Sequence, residues 1–206
     1  MVRRTGRKLK AVAGRVAEWD YLCIFAGRIR RWVSCGTAKS CFKMSQRPVI
    51  YLYTDGAASG NPGPGGWGAV LQCAGLEKEM SGGFALTTNN RMELLAVIEG
   101  LRAIKWDHAT VEVWSDSSYV VKAITEGWLL NWERKGFAKV KNPDLWQEFL
   151  PLWRRHHVTF HWLKGHAGHP QNERCDRLAV AAYHQPNLPE DAGYLDSLAA
   201  PDHSLI

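Results

Sequence analysis

Four carboxylates in this 206-residue chain have the types and settings to do chemistry together: Asp55, Glu93, Asp116 and Asp176. Taken singly, each has an ordinary explanation. Asp55-Gly56 is a turn signal. Asn90 and Glu93 have capping-box spacing. Asp116 follows Val111-Glu-Val-Trp-Ser and suits a helix N-cap. Asp176 lies beside the i,i+4 pair Glu173 and Arg177, as on a solvated face. The helical wheel argues against isolation. At ~100° per residue from Glu93, the residues Ala96, Val97, Gly100 and Ile104 share its side, whereas Arg91, Glu99, Arg102 and Lys105 take the opposite arc. A carboxylate over an apolar face needs a partner. Asp176 similarly has Asn172 one turn before it and Val180 and Tyr183 as apolar neighbours. Two acids ending strands and two on inward helix edges can converge on one end of a sheet, where they repel unless cations intervene. Oxygen donors without a Cys or His pairing suit Mg2+ or Mn2+, not zinc. Two such ions can activate water and stabilise a leaving oxygen in phosphodiester cleavage.

The elements that must position these acids are legible from Pro48 onward. Val49 to Thr54 reads as a strand ending in Asp55-Gly56, and Asn61 to Gly66 as a tight loop. Trp67 to Ala74 and Lys78 to Phe84 read as two more strands of an antiparallel meander, joined at Ala74-Gly75. Helices are expected over Asn90 to Lys105, Ser117 to Thr125, Pro143 to Trp153 and Asn172 to His184, and strands over Thr110 to Ser115 and Val158 to Trp162. Trp128 to Lys141 is basic and aromatic with a helical start, Lys164 to Pro170 is a Gly/His loop, and Gln185 to Ile206 is a tail without a clear period. Strands alternating with helices after a meander imply an α/β fold with a mixed sheet covered by helices.

Composition narrows the class. No apolar run approaches the ~20 residues of a membrane helix. Residues 1–46 carry 11 Lys/Arg against 2 Asp/Glu, while residues 47–206 carry 15 against 18, so the formal charge of +6 belongs to the N-terminal segment. Nucleic-acid binding cannot be inferred from bulk charge and must come from local sites. Five cysteines without a C-x-x-C pair fit a reduced, cytoplasmic setting. Residues 1–46 could be a targeting peptide, a basic nucleic-acid arm, or sequence ahead of a domain that starts at Met44. The position of Met44 just before the first strand favours the last, with the segment disordered or outside the native domain. Residues 47–184 then form the catalytic domain and 185–206 a C-terminal tail.

Six colinear segments resemble type 1 ribonuclease H of the bacterial kind. They are Tyr53-Thr-Asp-Gly, Gly60-Asn-Pro-Gly-Pro-Gly-Gly-Trp-Gly, Thr87-Thr-Asn-Asn-Arg-Met-Glu-Leu, Ser115-Asp-Ser-Ser-Tyr-Val, Asn142-Pro-Asp-Leu-Trp, and Val158 through Leu178 with its Lys-Gly-His-Ala-Gly-His. The resemblance implies a ribonuclease H-like, five-stranded mixed sheet flanked by helices. It implies a monomer that cuts the RNA strand of RNA–DNA hybrids internally, leaving 3′-hydroxyl and 5′-phosphate ends. Asp55, Glu93, Asp116 and Asp176 would be ligands of two Mg2+ ions, with Mn2+ as an alternative, and His166 a proton shuttle. The flanking Gly165 and Gly168 would let the His166 loop move, and a near-neutral imidazole suits proton transfer. A zinc pair of His166 and His169 is disfavoured, because a Gly-rich loop does not fix that geometry.

For the substrate, Asn89 and Asn90 can read the minor groove and 2′-hydroxyls. The resemblance sets Thr88, Asn61 and Asn142 near phosphate of the DNA strand, and Trp128 and Trp146 along a DNA-side channel, although core packing would also explain two tryptophans. Ala57-Ala58 replace polar residues common after the first aspartate, so main-chain contacts at Gly56 should persist. The basic stretch with Arg134, Lys135, Lys139 and Lys141 looks short, which predicts fewer phosphate contacts and a shallower salt dependence. Two other functions are disfavoured: a non-catalytic hybrid binder, since all four acids are present, and a proofreading exonuclease, since Asp55 is followed by Gly-Ala instead of x-Glu.

Overall fold

The computed structural model describes residues 47–164 and 168–199; the expectations for residues 1–46, for His166 and for the end of the tail lie outside them. β1 (Ile50–Ala58), β2 (Gly63–Cys73) and β3 (Leu76–Thr87) form the meander, followed by α1 (Asn89–Arg102), β4 (Thr110–Ser115), α2 (Ser118–Thr125), α3 (Trp128–Arg134), α4 (Pro143–Arg155), β5 (His157–Trp162), α5 (Pro170–Tyr183) and α6 (Ala192–Ala199). The sheet order is β3-β2-β1-β4-β5. β1 is antiparallel to β2 and parallel to β4, and β5 runs parallel to β4. The mixed five-stranded sheet of the α/β class is therefore as expected.

The meander closes through Ala74 and Gly75, whose φ angles of 50° and 80° both lie in the left-handed region that a two-residue hairpin turn needs. Ile50, Leu52, Val111 and Val113 alternate inward along β1 and β4 and meet Leu94, Ile98 and Leu101 of α1 with Trp146 and Phe149 of α4 in the main core. α5 crosses the other face against β1, β2 and β3. No helix among the described residues is long and apolar enough to cross a membrane.

Four expectations need correction. β1 does not end at Asp55-Gly56; it continues to Ala58, with Asp55 paired to Gly68 and Gly56 to Trp67, because β2 begins at Gly63 inside the supposed loop and supplies a partner. α1 starts one residue early with Thr88 at the N-cap, so Asn90 and Glu93 do not form a capping box. Arg91 is buried, 2% exposed, instead of lying on the solvated arc, because two carboxylates from distant segments enclose it. The tail is not featureless. The Pro189 carbonyl accepts from the Ala85 amide at 2.9 Å, Asp191 is buried, and α6 follows.

Candidate active site

The four acids come from four elements. Asp55 lies within β1, Glu93 on α1, Asp116 just past β4, and Asp176 on α5. What lets Glu93 reach Asp55 is Gly56. A Cβ there would stand 2.2 Å from the Glu93 amide nitrogen and 2.5 Å from the Met92 carbonyl carbon, so α1 can rest on β1 only without a side chain at this point. On the opposite face, a Cβ on Gly68 would meet the Cys175 carbonyl at 2.2 Å, and the same close approach seats α5 and Asp176.

Asp55, Glu93 and Asp116 each have a hydrogen-bonded support. The Gly56 amide donates to Asp55 Oδ1 at 2.7 Å. This amide, expected to serve substrate, is therefore engaged by Asp55. Glu93 Oε1 accepts from Asn89 Nδ2 at 2.8 Å, and Oε2 accepts from the Ser117 hydroxyl. Ser117 Oγ accepts in turn from the Val120 amide at 3.2 Å, which makes Ser117, not Asp116, the N-cap of α2. Asp116 is thereby left to the cluster. Its Oδ2 accepts from Asn172 Nδ2 at 3.2 Å, and its main-chain carbonyl accepts from Trp162 Nε1 at 3.2 Å. A cleft of about 30 Å³ is lined by Asp55, Asp176, Asn172, Glu173, Lys164, Gly168 and His169.

The acids act on one another electrostatically. Burial, then the charge of Asp116, and further Asp176 and Glu93, push the Asp55 carboxyl up to about 8 against a lowering by the Gly56 amide. Burial also raises Glu93, opposed by the Ser117 hydrogen bond. Among the described residues, no three His, Cys, Asp or Glu side chains stand close enough to form a ready-made metal cage. The donor chemistry nevertheless fits a hard cation: the four side chains offer only oxygens, and Asp55 carries surplus negative charge around it. Asn172 Oδ1 and His169 Nδ1 are buried next to this cleft without a hydrogen-bond partner among the described residues.

The expected substrate residues divide into two groups. Asn61, Thr88, Asn89 and Asn90 gather at the β3–α1 turn, where Asn61 Oδ1 accepts from the Asn89 amide at 3.4 Å. The second group is Asn142, Trp128 and Trp146. Asn142, at φ 56° before α4, donates Nδ2 to the Tyr119 hydroxyl at 3.2 Å. Trp128 opens α3 and is 40% exposed. Trp146 does not line a surface. It is 0% exposed, donates Nε1 to the Tyr119 hydroxyl at 2.8 Å and packs edge-on to Trp132 and Phe149. The apolar face of α4 points it into the core. Tyr119, Ser117 and Asn172 are supporting residues that the sequence did not single out for these roles. For Ser117 the signal was its place at a strand-to-helix junction, and for Asn172 its position one turn before Asp176.

The comparisons agree with this architecture. A family model for RNase H matches residues 47–184. A Ribonuclease H of Nitratidesulfovibrio vulgaris (strain DP4) is 53% identical over 156 residues, covering 73% of this chain and 99% of the relative. One from Desulforamulus reducens is 56% identical over 147 residues, covering 69% and 92%. The crystal structure of LC9-RNase H1, described as a type 1 RNase H with the type 2 active-site motif, superposes with a TM-score of 0.62 at 34% identity, covering 76% of this chain and 83% of that one. With the sheet order, the family match and relatives above half identity in agreement, this chain belongs to the ribonuclease H family, enzymes that degrade the RNA of RNA/DNA hybrids.

Proposed function

We propose that this chain cuts the RNA strand of RNA–DNA hybrids internally, leaving 3′-hydroxyl and 5′-phosphate ends, with two divalent cations, Mg2+ or alternatively Mn2+, at the carboxylate cluster. The observation that carries this is the setting of Asp55, whose carboxyl is raised to about 8 by burial and by three acids from three other elements. Such a cluster is short of positive charge, and its all-oxygen donors match a hard cation. Asp55, Glu93, Asp116 and Asp176 would hold the ions, which when bound supply Lewis acidity and an activated water.

The chain's own groups do the positioning. Asn89 and Ser117 fix both oxygens of Glu93, Asn172 holds Asp116, and the Gly56 amide orients Asp55. Thr88, Asn89 and Asn90, with Asn61 bracing the turn, would meet the minor groove and its 2′-hydroxyls. The exposed Trp128 ring offers a stacking surface, and Asn142, set by Tyr119, a polar contact to the DNA strand. His166 would carry the proton to the leaving oxygen. The domain's own excess of acids fits recognition by polar and aromatic groups over bulk attraction.

Labelled RNA–DNA, RNA–RNA and DNA–DNA duplexes, incubated with Mg2+ and with a chelator, test this. Internal cuts confined to the RNA of the hybrid, and abolished by the chelator, are expected. Tight hybrid binding without cleavage would overturn the catalytic assignment.

A further inference from the structure

We propose that Asp191, beyond the segment matched to the family, is a positioning residue for the substrate-reading turn, holding Thr88, Asn89 and Asn90 in register through Arg91 and Thr87. This rests on the assignment of that turn to hybrid recognition made above.

The carboxylate of Asp191 grips both sides of the turn. Its Oδ2 accepts from the Thr87 hydroxyl at 2.7 Å and from Arg91 Nε at 2.7 Å, and its Oδ1 accepts from Arg91 Nη2 at 2.8 Å and from the Tyr194 amide at 3.1 Å. Thr87 ends β3 and Arg91 lies in the first turn of α1, so the residues between them are the three that would meet the hybrid. Arg91 spends its other edge on Asp144, with Nη1 to Oδ1 at 2.9 Å and Nη2 to Oδ2 at 2.7 Å. The guanidinium is thus fixed in its plane by two bidentate partners.

Two further observations make this a device for placement. The N-cap Thr88 makes no side-chain cap bond, so the start of α1 lacks the usual local anchor. A buried ion pair is also a weak source of net stability but a good source of register, because no shifted arrangement satisfies the same charges. The fit leaves no slack. A Cβ on Gly193 would come within 2.1 Å of Asp144 Oδ2 and 2.7 Å of Arg91 Nη2, so the backbone of α6 lies directly on the ion pairs.

The test is steady-state cleavage of an RNA–DNA hybrid by the full chain, well below each variant's unfolding midpoint. The variants are Asp191→Asn, which removes the charge at constant size, and Gly193→Val, which leaves both acids in the sequence but drives a side chain against Asp144 and Arg91 and so pushes α6 off the ion pairs. Val111→Ala, a fully buried core truncation on β4, is the matched destabilised control. Both tail variants should raise KM about tenfold, roughly one lost polar substrate contact, with kcat within about twofold. Val111→Ala should lower the midpoint and leave KM alone. If the tail variants melt earlier but keep the wild-type KM, the segment is only structural and the proposal fails. Should Asp191→Asn not fold, Gly193→Val decides by the same criterion. Failure of the wild type to cut hybrid at all would instead strike the functional assignment, so the two failures are distinguishable.

Discussion

Replacing Asp55 by Asn should stabilise the metal-free protein in a pH-dependent way. In the unfolded chain this carboxyl ionises near 3.8, and in the folded chain it does so only at about 8. Between those values unfolding releases a proton, so wild-type stability falls as pH rises through the window and levels off above it. Each pH unit across that gap is worth about 1.4 kcal/mol, which sets a ceiling of about 6 kcal/mol. Asp55 is only part-buried, and solvent screening reduces the expected effect to about 2 kcal/mol. In a domain of this size each kcal/mol moves the midpoint by about 2–4 °C, so the variant should melt about 4–8 °C higher at pH 9. Asparagine keeps an oxygen for the Gly56 amide, so the strand is not disturbed. Thermal melts followed by circular dichroism in chelator, from pH 4 to pH 9, should show two curves that nearly coincide at the acid end and separate toward pH 8. Added Mg2+ should raise the wild type and narrow the gap, because a cation favours the ionised form. A gap independent of pH, or a variant less stable at pH 9, would refute the repulsive cluster.

Other expectations follow from single contacts. Asp55→Asn should abolish cleavage of the hybrid while retaining a cooperative melt, measured on the same preparation. Trp146→Ala should cost about 3–5 kcal/mol of stability as a core truncation, whereas Trp128→Ala should leave the denaturation midpoint in place and weaken hybrid binding in a titration. Ser117→Ala removes the cap of α2 and one support of Glu93, and should cost about 1 kcal/mol with a fall in kcat. Burial, followed by the charge of Arg155, lowers the His156 ring to about 4, so stability should be lost as pH falls from 6.5 through 4. His156→Gln should flatten that part of the stability profile, and an unchanged acid slope would show that His156 does not carry it. For the loop outside the described residues, His166→Ala should slow turnover without eliminating it, and complete inactivity would show that the proton-shuttle role is misassigned.

Much of this architecture could be read from the chain because the forces that set it are local. Alternation placed β4 at the observed boundaries, and the helix starts expected at Pro143 and Asn172 are found at Pro143 and Pro170. The wheel through Glu93 identified an acid turned toward the sheet, and Glu93 does meet Ser117 across the α1–α2 gap. The errors share a cause. Asp55-Gly56 has the composition of a turn, yet β2 supplies a hydrogen-bonding partner that local propensity does not contain, and the sheet wins. Trp146 stands among residues that could equally face DNA or core, and only the packing of α4 against the sheet distinguishes them.

Arg91 is the sharpest case. Every local indicator puts an arginine on the polar arc of α1 in water, and desolvating it alone would be prohibitive. Two acids reverse that outcome. Asp144 is 53 positions away and Asp191 is 100 positions away, so no window of sequence contains the set that makes burial tolerable. The same distance explains why the tail looked featureless: its one decisive residue has no meaning until β3 and α1 are already in place. Function in this chain therefore divides by range. The acids are announced by short motifs around them, while the groups that support them, Ser117 and Asn172, and the Asp191–Arg91 pair at the start of α1 take their partners only where separate segments meet.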